Sequence, residues 1–424
     1  MSKTRHFCLI CLKLGDRLKK ERQLISTGVQ IRMNQKVILA FSGGLDTSFC
    51  VLYLKEKGFD VVTATIDTGG LSSEELSKIK ARSKELGAIK HICVDAKKEI
   101  FDEIISNLIK ANGLYQGVYP NMCSDRYTIA KHIIDIAKKE NAKFVAHGCT
   151  GAGNDQVRID VTINTLSSGL KIIAPIRELM IKRPEEIKYL EDKGFAVDKK
   201  VKKYTINENI FGVTISGSEI DEGKEPSEDA WQITQITNTN QEYANIEFKE
   251  GIPVALNGKK MHGADILIQL NKIAGAHGYG RGIYYEDETI GIKGIQAFEA
   301  PGLMLLIEAH KALEKAVLTK KQQKIKAMLE IEWADLAFSG LLYEPLIKDI
   351  QAFNDENQKA VTGIVKMKID KKNVILSEIK TEKSLIDREI GSYAQGGVWE
   401  GKEAEAFIKF HGLQQKIAAK KSKK

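Results

Sequence analysis

A short glycine-containing stretch near the start of the chain has the residue types of a phosphate-binding turn. Residues 40–48 read AFSGGLDTS and overlap the end of KVILAF, a run typical of a buried strand. Two adjacent glycines allow the backbone to approach an anion closely. The N–H groups that open the next helix would converge on phosphate oxygens, together with the hydroxyls of Ser42, Thr47 and Ser48. We expect Asp46 or Thr47 to cap that helix.

This loop differs from a Walker A motif, because no Gly-Lys-Ser/Thr follows its glycines. Without that lysine, the pattern favours a site for a leaving pyrophosphate over a site for a transferable γ-phosphoryl group. Glycine-rich turns between a strand and a helix are common in purely structural roles. The full pattern Ser-Gly-Gly-x-Asp-x-Ser in this position is uncommon, so the sequence predicts a functional phosphate site.

A second glycine-rich motif, HGCTGAGNDQVR, occupies residues 147–158 and follows the strand-like run FVA. Thr150, Asn154 and Asp155 offer a hydroxyl, an amide and a carboxylate, and Arg158 can clamp a carboxylate through two hydrogen bonds. Groups of both signs suit small molecules that carry both carboxylates and ammonium groups. Ligands of parallel sheets bind at the carboxyl ends of the strands, so we expect both motifs to lie there.

Both motifs resemble those of known families. The SGGLDTS stretch is similar to the pyrophosphate loop of the N-type ATP pyrophosphatases, which cleave ATP to AMP and pyrophosphate. The second motif resembles the signature HGxTGxGNDQVR of the argininosuccinate synthases almost residue for residue, and LNKIAGAHGYGR (residues 270–281) looks like another block of that family. The resemblance covers roughly residues 34–410. It implies ligation of citrulline and aspartate through a citrullyl-adenylate in arginine biosynthesis.

The resemblance also implies which residues bind each substrate. ATP, accompanied by Mg²⁺, is expected at Ala40, Phe41, Ser42, Gly43, Gly44, Leu45, Asp46, Thr47, Ser48, Ile66 and Gly148. Aspartate is expected at Thr150, Asn154 and Asp155. Citrulline is expected at Tyr119, Cys123, Asn154, Arg158, Thr205, Thr214, Glu286 and Phe298. No residue is expected to bind a metal directly, because Mg²⁺ is held chiefly by phosphates and water.

The citrulline side departs from the family pattern. The family presents Tyr and then Thr-Ser ahead of an Arg, whereas here Tyr119 is shifted by one place and Met122 and Cys123 replace the hydroxyls. Phe298 stands where the family has a tyrosine. An alternative substrate is therefore a citrulline acylated on its α-nitrogen, which is uncharged there and avoids an unpaired buried ammonium. The other reading is that Tyr119, Ser124 and Glu286 restore the usual contacts.

Alternating strand-like and helical patterns position these motifs. Strand-like runs at 60–66, 91–94 and 144–147 alternate with helical patterns, which predicts a parallel sheet. The resemblance makes this an α/β fold with an adenine-nucleotide α-hydrolase-like sheet domain, an α+β synthetase domain and a C-terminal helix. We expect an extension outside the core at 1–33, the nucleotide domain at 34–195, the synthetase domain at 196–390, and an oligomerisation helix with a lysine-rich tail at 391–424. Homotetramers are implied by the resemblance.

The distribution of charge and the cysteine content limit the possible partners and the cellular compartment. The net charge of +8 comes from the two ends, since residues 1–33 hold eight basic and two acidic residues and residues 416–424 hold five lysines. A nucleic-acid partner is therefore not expected, because its footprint should mark the folded body. No apolar run reaches the roughly 18 residues of a membrane span. Six scattered cysteines favour a reducing compartment, so we expect a cytoplasmic protein.

The cysteines raise two further interpretations, a tRNA thiolase and a zinc site. A tRNA thiolase of the same superfamily would use Cys123 and Cys149 as sulfur carriers, but cysteines in apolar sequence are more often packing residues. Cys8 and Cys11 form a lone CxxC without a second ligand pair, so a zinc site is not expected there.

Overall fold

The computed structural model describes residues 35–197, 203–391 and 398–423. The described chain divides into two compact units that are discontinuous in sequence. The first comprises residues 35–66, 72–94 and 129–197, and the second comprises 67–71, 95–128 and the described residues from 203 onward. The expected extension at 1–33, with Cys8 and Cys11, lies outside the described residues. Within the described ranges, no helix is both long and apolar enough to cross a membrane.

The first unit is built on a five-stranded sheet. These are β1 (Gln35–Ala40), β2 (Phe59–Asp67), β3 (Lys90–Asp95), β4 (Phe144–Ala146) and β5 (Lys171–Ile173). Their order is β3-β2-β1-β4-β5, and β1 pairs in parallel with both β2 and β4. The chain moves outward in one direction through β2 and β3 and in the other through β4 and β5. The carboxyl ends of β1 and β4 therefore form a topological switch point, where sheets of this kind bind ligands.

Helices connect these strands. They are α1 (Leu45–Glu56), α2 (Ser73–Glu85), α3 (Lys97–Ile100), α4 (Ser106–Lys110), α5 (Asp125–Lys139), α6 (Asp155–Leu166), α7 (Pro175–Leu179) and α8 (Arg183–Asp192), with a π-helical turn at Phe101–Ile105. Local signals set their limits. Ser72 and Glu75 form a reciprocal capping box at the start of α2, and Gly87 follows its end with a positive φ of 79°.

The second unit contains two mostly antiparallel sheets. Its strands are β6 (Thr205–Asn209), β7 (Gly212–Ser216), β8 (Glu242–Lys249), β9 (Ile252–Leu256), β10 (Lys259–Lys260), β11 (Arg281–Asp287), β12 (Lys293–Glu299), β13 (Gly363–Asp370) and β14 (Asn373–Lys380). One sheet has the order β10-β9-β8-β13-β14 and the other β11-β12-β7-β6. Alternating burial along β8 and β13 shows that one face of the first of these sheets is packed on the core.

Four helices of the second unit pack around a large apolar core. They are α9 (Gly263–Ala276), α10 (Pro301–Val317), α11 (Lys320–Phe338) and α12 (Pro345–Gln358). Two further helices, α13 (Gly401–His411) and α14 (Leu413–Lys421), contain no buried residue. The core joins side chains of residues 100–127 to side chains of α10 and α11. A buried polar network crosses the same region, in which Asn112 Nδ2 donates to Glu314 at 2.8 Å and to Glu330 at 2.6 Å. Contacts between segments about 200 residues apart thus hold this unit together.

Several local predictions differ from the structure. The sequence predicts long helical segments over residues 302–329, and the structure has two helices there that extend to Phe338, because Thr319 caps the second. The pattern of residues 247–258 predicts a strand pair with an Asn-Gly turn, but the turn between β8 and β9 is Glu250-Gly251, and Asn257-Gly258 joins β9 to β10. The single helix predicted at the C-terminus is divided at Gly412. The proposed domain limits near residues 195 and 390 stay predictions.

Candidate active site

The phosphate loop of the first unit leaves strand β1 and enters helix α1 through two glycines. Gly43 adopts a positive φ of 77°, a conformation that favours glycine. Ser42 Oγ lies 3.2 Å from Thr47 Oγ1 and accepts a hydrogen bond from Gly44 N at 3.3 Å. An added Cβ on Gly44 would meet only Ser42 Oγ, at 3.3 Å. The chain itself therefore leaves open space around Gly44, as close approach of an anion requires.

The start of helix α1 carries no side-chain cap. Gly44 is the N-cap residue and makes no capping side-chain bond, so the prediction that Asp46 or Thr47 caps this helix was wrong. Ser48 N is the first amide to bond back into the turn, to Gly44 O at 3.0 Å. The preceding amides of the first turn have no intrahelical acceptor and lie at the positive end of the helix dipole. An uncapped first turn of this kind can bind phosphate oxygens.

The second motif lies against the phosphate loop. His147 and Gly148 follow strand β4, which pairs with β1. A Cβ added to Gly148 would lie 3.1 Å from Thr47 Cγ2 and 3.4 Å from Asp46 Cβ. Glycine is therefore the residue that lets the two loops approach this closely. Ile66, predicted at the nucleotide, is buried near the carboxyl end of β2.

A buried hydrogen-bond chain fixes the second motif. His147 donates from Nε2 to Asp160 Oδ1 at 2.8 Å and accepts from Cys149 N on Nδ1 at 3.2 Å. Arg177 Nη1 donates to Asp160 Oδ2 at 2.7 Å. Although burial alone would raise it, the bonds from His147 and Arg177 hold the pKa of Asp160 below its ordinary value. The carboxylate thus stays charged and anchors the loop that begins at His147.

The remaining predicted residues of this motif differ in exposure. Thr150 is exposed, Asp155 is half-buried, and Asn154 and Arg158 are buried. Arg158 Nη1 donates to Asp155 Oδ1 at 3.0 Å, across one turn of α6. The geometry brings an amide, a carboxylate and a guanidinium to the start of one helix, and the hydroxyl of Thr150 lies in the loop before it. This set can bind a ligand with both carboxylate and ammonium groups.

A second carboxyl group lies behind the phosphate loop. Glu186, on α8, is only 3% exposed and lies near Asp46. Burial, followed by the nearby charge of Asp46, raises the pKa of Glu186 to about 8. The protonated form of Glu186 is therefore favoured at neutral pH. Burial and these same acids also raise the pKa of the Cys50 thiol, one turn along α1.

Sequence reasoning missed Glu186, Asp160 and Arg177. A signal for Glu186 was present, because it lies four residues before Leu190, which is fully buried, and therefore on the same face of α8. An acidic residue on the apolar face of a helix needs a polar partner. The sequence did not reveal that this partner is Asp46.

In the second unit, the aromatic residues predicted at citrulline are packed together. Tyr119 stacks on Tyr284 with ring centroids 4.6 Å apart and meets Phe298 edge-on at 5.7 Å. Phe298 is 2% exposed, and a Cβ on Gly282 would lie 2.4 Å from its ring. Met122 is 1% exposed and belongs to the same core. Met122 and Phe298 therefore act as core residues, and the apolar ligand surface predicted from them does not follow.

The other residues predicted on the citrulline side lie at different depths. Cys123 and Thr214 are half-buried, and Thr205 is exposed on the neighbouring strand. Glu286 is buried and accepts from Tyr284 Oη at 3.2 Å and from Gln296 Nε2 at 3.0 Å. Among the residues that the structure describes, no three His, Cys, Asp or Glu side chains are grouped to hold a metal ion.

This chain is similar to known proteins over most of its length. Residues 36–196 match a family model described as the arginosuccinate synthase N-terminal HUP domain, and residues 204–418 match its C-terminal domain. The chain is 42% identical over 399 residues to an argininosuccinate synthase of Xanthomonas campestris, covering 91% of this chain and 98% of the relative. It is 40% identical over 386 residues to that of Methanocaldococcus jannaschii, covering 90% and 97%. The predicted fold class is confirmed.

One solved structure is also similar in part. A 4-thiouridine synthetase–RNA complex with bound ATP matches 38% of this chain and 41% of that chain, with a TM-score of 0.30 and 15% identity. A likeness this weak has no bearing on function.

Proposed function

The chain belongs to the argininosuccinate synthase family, and from this membership we propose how its residues divide the work of the reaction. The enzyme uses ATP to join citrulline to aspartate and releases AMP and pyrophosphate in arginine biosynthesis. The observation that carries our assignment is the packing of Gly148 against Asp46 and Thr47, which joins the phosphate loop to the second motif.

The first step activates citrulline. Its ureido oxygen attacks the α-phosphorus of ATP, the bond from that phosphorus to the bridging oxygen breaks, and pyrophosphate leaves with the electron pair. The open amides of the uncapped first turn of α1, with the hydroxyls of Ser42 and Thr47, bind the leaving pyrophosphate. The raised pKa of Glu186 favours its protonated form, which removes one negative charge near that loop. The contribution of the protein is therefore positioning and charge stabilisation.

The second step joins the two amino acids. The amine of aspartate attacks the activated ureido carbon, loses a proton and expels AMP, which keeps the former ureido oxygen. We assign aspartate to Thr150, Asn154 and Asp155 in the first unit. The bond from Arg158 to Asp155 supports this role, because it fixes the carboxylate at the start of α6. The chain from His147 to Asp160 holds the preceding loop in place.

The citrulline assignment rests on residues of both units, which are considered separately. In the first unit we assign Asn154 and Arg158 to citrulline. In the second unit the residues implied by the resemblance are Tyr119, Cys123, Thr205, Thr214, Glu286 and Phe298. Burial of Phe298 and Tyr119 favours indirect roles for both, as supports for polar neighbours such as Glu286.

The proposal also includes Mg²⁺. Since no group of three acidic, His or Cys side chains is found among the described residues, we assign no protein ligand to Mg²⁺. We propose that it enters with ATP, bound by phosphates and water.

A homotetramer is supported by α13 and α14, which contain no buried residue and expose Phe407, Ile408 and Phe410. Cytoplasmic location remains a prediction.

The two alternatives are not favoured by the family membership. A tRNA thiolase would need accessible sulfur carriers. The family to which this chain belongs instead joins two amino acids, which is a different reaction. Ligation of an N-acylated citrulline was motivated by the apolar character of Met122 and Phe298. Both side chains are core residues, so that motivation is removed.

An isotope experiment tests the proposed chemistry. Citrulline labelled with ¹⁸O in its ureido group is incubated with ATP, aspartate and the enzyme, and the products are analysed by mass spectrometry. We expect one ¹⁸O atom in AMP, none in pyrophosphate, and no effect of ribonuclease treatment. Unlabelled AMP, or pyrophosphate release that requires RNA, would contradict the mechanism. A Thr150→Ala variant should raise the KM for aspartate about tenfold and leave that for ATP within twofold, as loss of one charge-assisted contact predicts.

A further inference from the structure

The histidine that opens the second motif is buried and bonded through both of its ring nitrogens. His147 follows β4 directly and is only 2% exposed. Its Nδ1 lies 3.2 Å from Cys149 N, and its Nε2 lies 2.8 Å from Asp160 Oδ1. Because both nitrogens are bonded within the protein, neither is open to take a proton from a substrate. His147 is therefore not a general base, and its contribution is to the loop that follows it.

The partners of His147 determine its protonation state. A backbone amide only donates, so Nδ1 accepts from Cys149 N and carries no proton. Burial alone would raise the pKa of Asp160, but its bonds with His147 and Arg177 hold that pKa below its ordinary value. Asp160 is thus a carboxylate and only accepts, so Nε2 carries the single ring proton. The structure requires one neutral tautomer of His147.

A second proton on His147 would break its contact with the loop. That proton would add to Nδ1 and face the N–H of Cys149, which leaves two donors 3.2 Å apart with no acceptor between them. The ring and the loop would then have to separate. Cys149 lies between Gly148 and Thr150, so both neighbours would move with it. A Cβ added to Gly148 would lie only 3.1 Å from Thr47 Cγ2, so this movement would disturb the contact with the phosphate loop.

The charges around His147 decide how readily it gains that proton. The carboxylate of Asp160, at 2.8 Å, favours the charged imidazolium. Arg177 on α7 opposes this effect, because its Nη1 donates to the other oxygen of Asp160 at 2.7 Å. Asp46 of α1 and the half-buried thiol of Cys149 are further ionisable groups in the segments packed against this motif. Arg177 thus balances the charge of Asp160 and favours the neutral ring.

We propose that neutral His147 holds residues 148–150 in their binding position, that protonation of His147 at acid pH releases them, and that Arg177 delays this release by balancing the charge of Asp160. This inference rests on the proposed assignment of ATP to Gly148 and of aspartate to Thr150. It adds His147 and Arg177 to the reaction as positioning residues. The binding loop is therefore sensitive to pH over the range in which histidines change charge, about pH 5 to 8.

Two substitutions at His147 separate the roles of its two nitrogens. In His147→Asn the amide oxygen takes the place of Nδ1 and accepts from Cys149 N, whereas the bond to Asp160 is lost. In His147→Gln the longer amide reaches Asp160, whereas the bond to the loop is lost. We expect kcat/KM for aspartate to stay within about threefold in His147→Asn and to fall at least about tenfold in His147→Gln. The reverse order would show that His147 acts only through Asp160 and would overturn the proposal.

The pH profile tests the charge balance. The measurement is kcat/KM for aspartate between pH 5 and pH 8 at saturating ATP and citrulline. In Arg177→Gln the unbalanced carboxylate favours the imidazolium, so the midpoint of the acid limb should rise by at least about half a pH unit. In Asp160→Asn an amide oxygen still accepts from Nε2 without the negative charge, so the midpoint should fall by at least about half a pH unit. His147→Asn should also lower it, because the titrating ring is gone.

His262 provides the matched control. In the second unit, its Nδ1 accepts from Ala264 N at 3.2 Å and its Nε2 lies 3.1 Å from Asp102, outside both motifs. His262→Asn should move the midpoint by less than about 0.2 pH unit. Thermal melting checks that each variant folds, and any two of the three variants in the profile suffice for the comparison.

Three results would overturn the proposal: an acid limb that none of the variants moves, shifts of the same sign in Arg177→Gln and Asp160→Asn, or an equal shift in His262→Asn. A different result would separate this inference from the substrate assignment. If the expected pattern is found in kcat/KM for ATP but not for aspartate, the role of His147 stands, and the assignment of aspartate to Thr150 fails.

Discussion

The phosphate loop of the first unit and the 119–126 segment of the second bind their proposed ligands by different means. The loop uses main-chain amides at the uncapped start of α1, and its residues Ser42 and Gly44 are exposed. The 119–126 segment is assigned to its ligand through side chains, of which Tyr119 is buried and Cys123 half-buried. A main-chain site requires glycines at fixed spacing, whereas a side-chain site can exchange one polar group for another. The first kind is therefore recognisable from glycine spacing alone, whereas the second was found through resemblance to a family.

The largest effect is expected from a side chain added to the main-chain site. Gly44→Val should lower kcat/KM for ATP about 100- to 1,000-fold, the scale of losing donors to a developing anion. The fold should survive, because a Cβ there meets only Ser42 Oγ in the free protein. Steady-state kinetics and thermal melting measure the two effects. Gly401→Ala, where nothing lies within 4 Å of an added Cβ, is the matched control. Near-normal turnover of Gly44→Val would refute the assignment.

A substitution beside the aromatic cluster of Tyr119, Tyr284 and Phe298 is expected mainly to lower the stability of the protein. Gly282→Ala would place a Cβ 2.4 Å from the Phe298 ring, in a tightly packed cluster. Overpacking of this kind costs about 1–3 kcal/mol of unfolding free energy. Denaturant unfolding of the variant beside Gly401→Ala checks this value. A variant as stable as the wild type would show that the ring moves freely and that the cluster is not a rigid support.

The raised pKa of Glu186 adds a pH dependence near the main-chain site. The pKa of Glu186 is about 8 in the folded protein, above its ordinary value of 4.5, so the folded state binds this proton more tightly than the unfolded chain. Its contribution to stability is complete below pH 4.5 and is lost as pH rises towards 8. Glu186→Gln keeps the shape of the side chain without a titrating proton.

We expect Glu186→Gln to lose less unfolding free energy than the wild type between pH 5 and pH 9, by at least about 1 kcal/mol. Unfolding by denaturant at both pH values gives this difference. Glu185→Gln is the control, because the neighbouring Glu185 accepts from Lys182 N and a glutamine can do the same. Equal pH slopes in wild type and Glu186→Gln would show that the pKa of Glu186 is not raised in the folded protein.

The smallest effect is expected where the sequence departs from the family pattern. Cys123 replaces a hydroxyl residue and is half-buried. If neighbouring polar groups have taken over the recognition of citrulline, Cys123→Ser should change the KM for citrulline less than threefold, or less than about 0.7 kcal/mol. Citrulline titrations of both proteins measure this. A tenfold improvement in the serine variant would mean that the site still depends on a hydroxyl at this position and would weaken the contrast between the two regions.

The sequence predicted the parallel sheet, because β1, β2 and β4 are short apolar runs between helical patterns. It also located Ser42 to Ser48 and residues 147–158, since both motifs carry their chemistry in consecutive residues. Glu186, Asp160 and Arg177 were not predicted, because each acts through a partner that only folding brings near. Met122 and Phe298 were assigned to a ligand surface because their burial in the core cannot be read from their types alone.

The discontinuous second unit constrains how the chain can acquire its structure on the ribosome. Asn112 bonds to Glu314, 202 residues later, and the core around residues 100–127 is completed by α10 and α11. At a synthesis rate of roughly 5–20 residues per second, the early segment waits about 10–40 seconds for these partners. Its apolar residues Phe101, Ile104 and Leu108 are fully covered only in the finished protein. Slow translation therefore prolongs exposure of this apolar segment in the nascent chain.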